Sequence, residues 1–149
     1  MSLALHRYFL RSPIIGTLFL IMLGIGLERL IVTDKEAIEE VGQALARTAG
    51  SEQWEAFEAL LHPEFEYGGR KRPEAVAHVR GLVRKYRPIS LEISLYGLEV
   101  EGDQATGSGK VSAVVYGRPQ QLRIEVVFER GEDGAWLLRS VEGSVPALR

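Results

Sequence analysis

Proton chemistry at neutral pH needs a carboxylate or imidazole sheltered from water, with a hydrogen-bond donor beside it. The 149-residue sequence places few groups that way. Of its histidines, His62 sits just before Pro63, where a helical pattern ends, and reads as a residue stabilised at a helix C-terminus. His78 lies off the apolar stripe of its segment and reads as a surface residue. Glu64 and Glu66 alternate with Phe65 and Tyr67, so if the aromatics point inward the acids point out. Asp34 reads as a helix cap, and Asp103 and Asp133 fall in turns. Trp54, Tyr67 and Tyr86 are aromatic groups with a polar handle, placed at spacings that suit either a core or the lining of a pocket.

Other chemistries lack their residues. There is no cysteine, which removes disulfides, thiolate nucleophiles and thiolate metal sites. The histidines have no metal-ligand spacing, so no metal is expected, and no cofactor is expected either. Gly107-Ser108-Gly109-Lys110 lacks the spacing of a phosphate loop, and no Gly-x-Ser-x-Gly elbow occurs. Net charge is −2, which gives no global field toward nucleic acid. Locally the charge is uneven. Asp34 to Glu66 holds nine acids and two bases, while Arg70 to Arg87 holds seven bases and one acid. Arg70, Lys71 and Arg72 open the basic stretch as a candidate anion site. The competing reading is that the basic helix lies beside the acidic ones, in exposed pairs worth little each.

The elements that must position these groups begin after residue 33. Before it, Ile14 to Leu27 carries no charge and contains nine Leu, Ile or Phe residues. Together these favour a bilayer by about 4 kcal/mol. Residues 13–32 are therefore expected to form a transmembrane anchor, following a short N-terminus of residues 1–12. A cleaved signal peptide and a buried core helix are the other readings of the run; the second fits poorly because the run is apolar all round. Arg7 and Arg11 precede the span, favouring a cytoplasmic N-terminus and an extracytoplasmic body.

From Asp34 the periodicity is helical. Asp34 is expected as N-cap, Ile38, Val41 and Leu45 share a face, and Gly50 is the expected terminator. Ser51 is expected to cap a second helix with Trp54, Phe57 and Leu61, stopped by His62-Pro63. A short strand is expected over Glu64–Tyr67, and Gly68-Gly69 turns the chain. Pro73-Glu74 opens a third helix striped by Val76, Val79, Val83 and Tyr86, closed by Pro88. From Ile89 the period becomes two, giving four long antiparallel strands with turns at Gly102-Asp103, Gly117-Arg118-Pro119 and Glu132-Asp133-Gly134. Ile89, Leu91, Ile93, Leu95, Val111, Ala113, Val115, Leu122, Ile124, Val126, Phe128, Trp136 and Leu138 are the expected inward positions, and none can transfer a proton. Glu92, Lys110, Arg123, Glu125, Glu129 and Arg139 have the opposite parity. The fold class is α+β, with three helices covering one apolar sheet face.

Three stretches carry a family resemblance: Leu-Leu-His-Pro-Glu-Phe-Glu-Tyr (Leu60 to Tyr67), Gly-Arg-Lys-Arg-Pro-Glu-Ala-Val (Gly69 to Val76) and Glu-Asp-Gly-Ala-Trp-Leu-Leu (Glu132 to Leu138). With the element order, they make residues 33–144 resemble the nuclear transport factor 2-like superfamily, SnoaL-like branch, leaving 145–149 as a tail. The resemblance implies a cone-shaped, cystatin-like domain with a bent antiparallel sheet, and a pocket at its open end that His62 would border. It also implies a choice between enzymes (isomerases, cyclases, hydrolases) and non-catalytic binding or dimerisation modules, which the fold does not make. The reading adopted is a membrane-anchored, non-enzymatic module for a small hydrophobic ligand or a protein partner, with Trp54, His62, Tyr67 and Tyr86 as pocket candidates and no catalytic set. It pairs with a second copy through the outer sheet face and does not bind nucleic acid. The alternative is a SnoaL-like enzyme on a small hydrophobic substrate, using His62 or Glu66 as base and Tyr67 as donor.

Overall fold

The computed structural model describes residues 34–143. Helix α1 is described over residues 34–50, α2 is Trp54–Ala59 and α3 is Arg72–Tyr86. The strands are β1 (Leu61–Tyr67), β2 (Arg70–Lys71), β3 (Ser90–Glu101), β4 (Gln104–Val115), β5 (Arg118–Arg130) and β6 (Trp136–Glu142). They form one six-stranded sheet in the order β2-β1-β6-β5-β4-β3. The expected segment 13–32 lies outside the described residues. Among the described residues, no helix is long and apolar enough to cross a membrane.

Helix ends differ from the sequence reading in instructive ways. Asp34 is already helical, so it does not cap α1. At the other end the helix runs through Gly50, and the left-handed residue is Glu52 (φ 56°). Glu52 N–H donates to the Ala49 carbonyl (3.2 Å) and Gln53 N–H to the Thr48 carbonyl (2.8 Å), the paired bonds that close a Schellman end. Gln53, not Ser51, is the N-cap of α2, with no side-chain cap bond. That helix stops at Ala59, and Leu61, His62 and Pro63 already belong to β1. Pro73 lies in the first turn of α3, where its missing N–H is harmless.

The sheet is mixed: β3 to β6 form the expected antiparallel meander, but β1 runs parallel to β6. The β1–β6 register shifts between Leu61 and Glu66, and Leu61 and Phe65, four residues apart on the strand, are both buried. Gly68 and Gly69, both at positive φ, make the two-residue turn into β2.

The expected inward list holds along β3 to β6, with one exception. Ile89 precedes β3 and is 79% exposed; its N–H bonds the Val114 carbonyl and its side chain meets water. The core joins Ile38, Leu45 and Ala49 of α1, Phe57 of α2, Leu61 and Phe65 of β1, Ala75 and Val76 of α3, and Leu98, Ile124, Val126, Phe128, Trp136 and Leu138 of the sheet. Each large side chain among these contributes on the order of 1.5–3 kcal/mol by leaving water.

Candidate functional site

Between the helices and the sheet lies an unfilled chamber of about 340 Å³, within the range of small-molecule sites. Its size follows from small residues. Helix α1 presents Gly42, Ala46 and Ala49 to it, α3 presents Ala75, and β4 presents Ala113. Gly42 also sits close to the sheet: a Cβ there would come within 3.1 Å of Leu95 Cδ1. On β4, Gly107 and Gly109 leave room for Leu98, Leu95 and Ile124 to lie over the strand, since an added Cβ would meet them at 2.8–3.1 Å. One end of the chamber is closed by large side chains.

That closed end is formed by buried Phe57, Leu61, Phe65, Phe128 and Leu138. The other end is bounded by half-buried Leu82, Val83, Tyr86, Pro88, Val115 and Gln120. The chamber therefore opens where α3 runs out and the β4–β5 hairpin turns. Gly50, at the end of α1, packs near Leu91 on the same side.

The lining is almost wholly apolar. Among the described residues, its only side chains bearing nitrogen or oxygen are Tyr67, Tyr86, Gln120 and Gln121. Among the described residues it contains no carboxylate, imidazole, amine or guanidinium.

The residues singled out by sequence are distributed unevenly around this space. Tyr67 and Tyr86 line it. Trp54 and His62 are not among the lining residues. Trp54 packs edge-on against Phe57 (centroids 5.6 Å apart), with its indole N–H buried and lacking a hydrogen-bond partner among the described residues. His62 stands on the opposite side of β1 from Leu61 and Phe65. Its Nδ1 accepts the Glu64 N–H (3.1 Å) and its Nε2 lies 4.0 Å from Glu129. Arg139 joins that outer-face group, with Glu129 and Glu64 each 3.6 Å away and a further bond to the Glu64 carbonyl. Glu66 is exposed. His78, expected at the surface, is half-buried, its ring 6.1 Å from that of Tyr67.

The basic triplet lies apart from the chamber. Arg72 is 3.4 Å from Glu58 of α2. The Arg70 guanidinium lies over Gly68, and Lys71 is exposed. Of the seven bases from Arg70 to Arg87, only Arg72 makes an ion pair among the described residues, so the expected web of exposed pairs is largely missing. Gly107-Ser108-Gly109-Lys110 is plain strand within β4. No three metal-ligating side chains cluster among the described residues.

Sequence reasoning missed Gln120 and the small residues of α1. Gln120 has the inward parity of Leu122 and Ile124, so carrying the alternation one step further back would have found it. The small residues gave no such signal, because alanine and glycine on a helix face read as close packing.

No protein-family model matches the chain, and no curated protein matches it in sequence. Its fold does match solved structures. An NTF2-like protein with a cystatin-like fold from Novosphingobium aromaticivorans superposes with a TM-score of 0.65 at 20% identity, over 84% of this chain and 90% of that one. An NTF-2 like protein of unknown function from Shewanella oneidensis gives 0.61 at 10% identity, over 75% and 99%. A protein of unknown function from Mycobacterium tuberculosis gives 0.62 at 18% identity, over 80% and 76%. At these identities the likeness is one of fold: α+β, with three helices and a six-stranded sheet in the nuclear transport factor 2-like, cystatin-like arrangement.

Proposed function

Starting from a nuclear transport factor 2-like fold around an apolar chamber, we propose that this protein is a non-enzymatic module that binds a small hydrophobic ligand. The chamber carries the reading: it is large enough for a ligand, and an apolar body placed in it gains about 0.8 kcal/mol per buried methylene. Its tyrosines and glutamines can orient a polar end, but none is an ordinary base at neutral pH. The enzymatic alternative, a SnoaL-like isomerase, cyclase or hydrolase, keeps the chamber and loses its base, because His62 and Glu66 lie outside the lining.

The test is thermal unfolding with neutral alcohols of increasing chain length up to dodecanol. Stabilisation should grow with length until the chamber is full, and should vanish in Ala113→Trp. If no alcohol stabilises, or if the variant responds like the parent, the ligand-binding reading fails.

The tether belongs to the same proposal. Residues 13–32 anchor the protein as a single-pass span, the N-terminus stays in the cytoplasm, and the body faces outward. The absence of cysteine makes this easy to check. Asp133→Cys, in an exposed turn, should react with a membrane-impermeant maleimide in intact cells; labelling only after lysis refutes the orientation.

Pairing of two copies through the outer sheet face is proposed on charge. Lys110 lies directly opposite Arg123, and Glu125 directly opposite Glu142. Like charges facing across strands are unfavourable within one copy, and a twofold mate can set the basic pair against the acidic one. Sedimentation of residues 33–149 should show a dimer that dissociates in Lys110→Glu; a monomer at high micromolar concentration refutes it.

A further inference from the structure

The open end of the chamber differs from the rest of the surface in charge, exposure and backbone. Two of the three large apolar or aromatic side chains that stand most exposed among the described residues are there: Ile89 (79%) and Tyr116 (76%). Of the three described non-glycine residues with left-handed backbone, two are there as well, Arg87 (φ 44°) and Tyr116 (φ 51°). Such conformations are unfavourable for ordinary side chains, and they concentrate at functional sites.

Tyr116 is the sharper case. It takes the first position of a two-residue hairpin turn with Gly117 (φ 73°), where asparagine, aspartate or glycine would be comfortable. Its ring instead projects into water, and its hydroxyl donates to the Lys85 carbonyl (3.3 Å). That bond ties the hairpin to the end of α3.

Three cations lie on the elements that end at this rim. The Lys85 ammonium lies 5.2 Å from the ring centre of Tyr86, itself a lining residue. Arg87 caps α3, its N–H bonded to the Val83 carbonyl. Arg118 stands opposite Val115 at the base of the hairpin. All three are exposed, and none makes an ion pair among the described residues. The helix dipole accounts for a lysine in the last turn, but not for Arg118 on a different element or for the bare Ile89 and Tyr116 beside it.

We infer that the chamber takes a single-chain amphiphile whose anionic head is held at the mouth by Lys85, Arg87 and Arg118, its first carbons passing between Ile89 and Tyr116. This rests on the ligand-binding reading above and specifies its ligand class. A carboxylate or phosphate at the mouth is drawn to long side chains of one sign from α3 and β5, while its tail exchanges water for the apolar walls.

The full chain, held in a non-ionic amphipol, is titrated with dodecanoate, lysophosphatidylglycerol and dodecanol, at low and high salt. Dodecanoate stands for a free fatty acid and the lysolipid for a membrane-derived one. Either or both should bind more tightly than dodecanol. Combined Lys85→Gln, Arg87→Gln and Arg118→Gln should weaken the anions by roughly tenfold and leave dodecanol unchanged, and salt should act on the anions alone. All three are surface changes, and an unaltered melting temperature without ligand confirms the fold. If dodecanol binds as tightly as the anions, or the anions bind the triple variant as well as the parent, the head-group site is refuted while the apolar chamber stands. If nothing binds, the chamber reading itself falls.

Discussion

Ala113→Ile gives a change whose sign depends on whether the chamber is real. Ala113 lies near the end of β4, between Leu91 and Gln120, half-buried and facing the space. Isoleucine adds three carbons there. At about 0.8 kcal/mol per buried methylene, full burial would yield ~2.4 kcal/mol. Ordering the side chain costs about 0.5–1 kcal/mol. The chamber is open at one end, so part of the new surface stays wet, which leaves a net gain of about 1 kcal/mol. Isoleucine also suits a strand, acting in the same direction. Were this space already occupied by side chains, the same substitution would overpack it and cost about 1–3 kcal/mol. Urea unfolding of residues 33–149 reads the difference as a shift in midpoint at constant slope. A lowered midpoint for Ala113→Ile refutes the empty chamber, and with it the ligand reading.

Phe128→Ala removes a ring that is 1% exposed at the closed end and should cost about 3–5 kcal/mol in the same urea experiment; a loss under 1 kcal/mol would mean that this end is not packed as described. Gly107→Ala should destabilise by about 1–3 kcal/mol, because its Cβ would lie 2.8 Å from Leu98 Cδ2 and 3.3 Å from the Tyr96 carbonyl, and an unchanged midpoint would contradict the close approach of β3 to β4. Tyr116→Asn relieves a left-handed aromatic and should raise stability by a few tenths of a kcal/mol or more while weakening dodecanoate binding; greater stability with undiminished binding would remove Tyr116 from the mouth. Arg139→Met breaks a partly exposed group with Glu64 and Glu129 and should cost under about 1 kcal/mol, so a larger loss would assign that group a structural role.

Much of the architecture was legible because backbone periodicity is a local property. Alternation assigned the faces of Leu91 to Leu95, Val111 to Val115, Leu122 to Phe128 and Trp136 to Leu138 correctly, since successive side chains on a strand must point to opposite sides; past the β3 register shift at Tyr96 the parity changes, and Leu98 is the buried residue. Gly68-Gly69 and Gly117 marked real hairpins because only certain residues tolerate positive φ without cost. The same logic failed where a boundary depended on distant partners. The text around His62-Pro63 reads as a helix end, yet pairing of Leu61 with Leu138 draws those residues into a strand parallel to β6, so His62 faces Glu129 and not the interior. Ile89 continues the alternation on paper, but it precedes the first paired residue of β3 and has nothing to cover it.

For the candidate site, the sequence alone determined which strand positions are greasy and that none of the positions it assigned inward carries an acid or a base. Whether that face encloses solid packing or a void was beyond it. Periodicity describes direction along one element, whereas a void is a difference between volumes supplied by several. Only the tertiary structure sets Gly42, Ala46 and Ala49 of one helix, Ala113 of a strand and Ala75 of another helix around a common space, and it is these small residues together, each ordinary in its own segment, that leave room for a ligand.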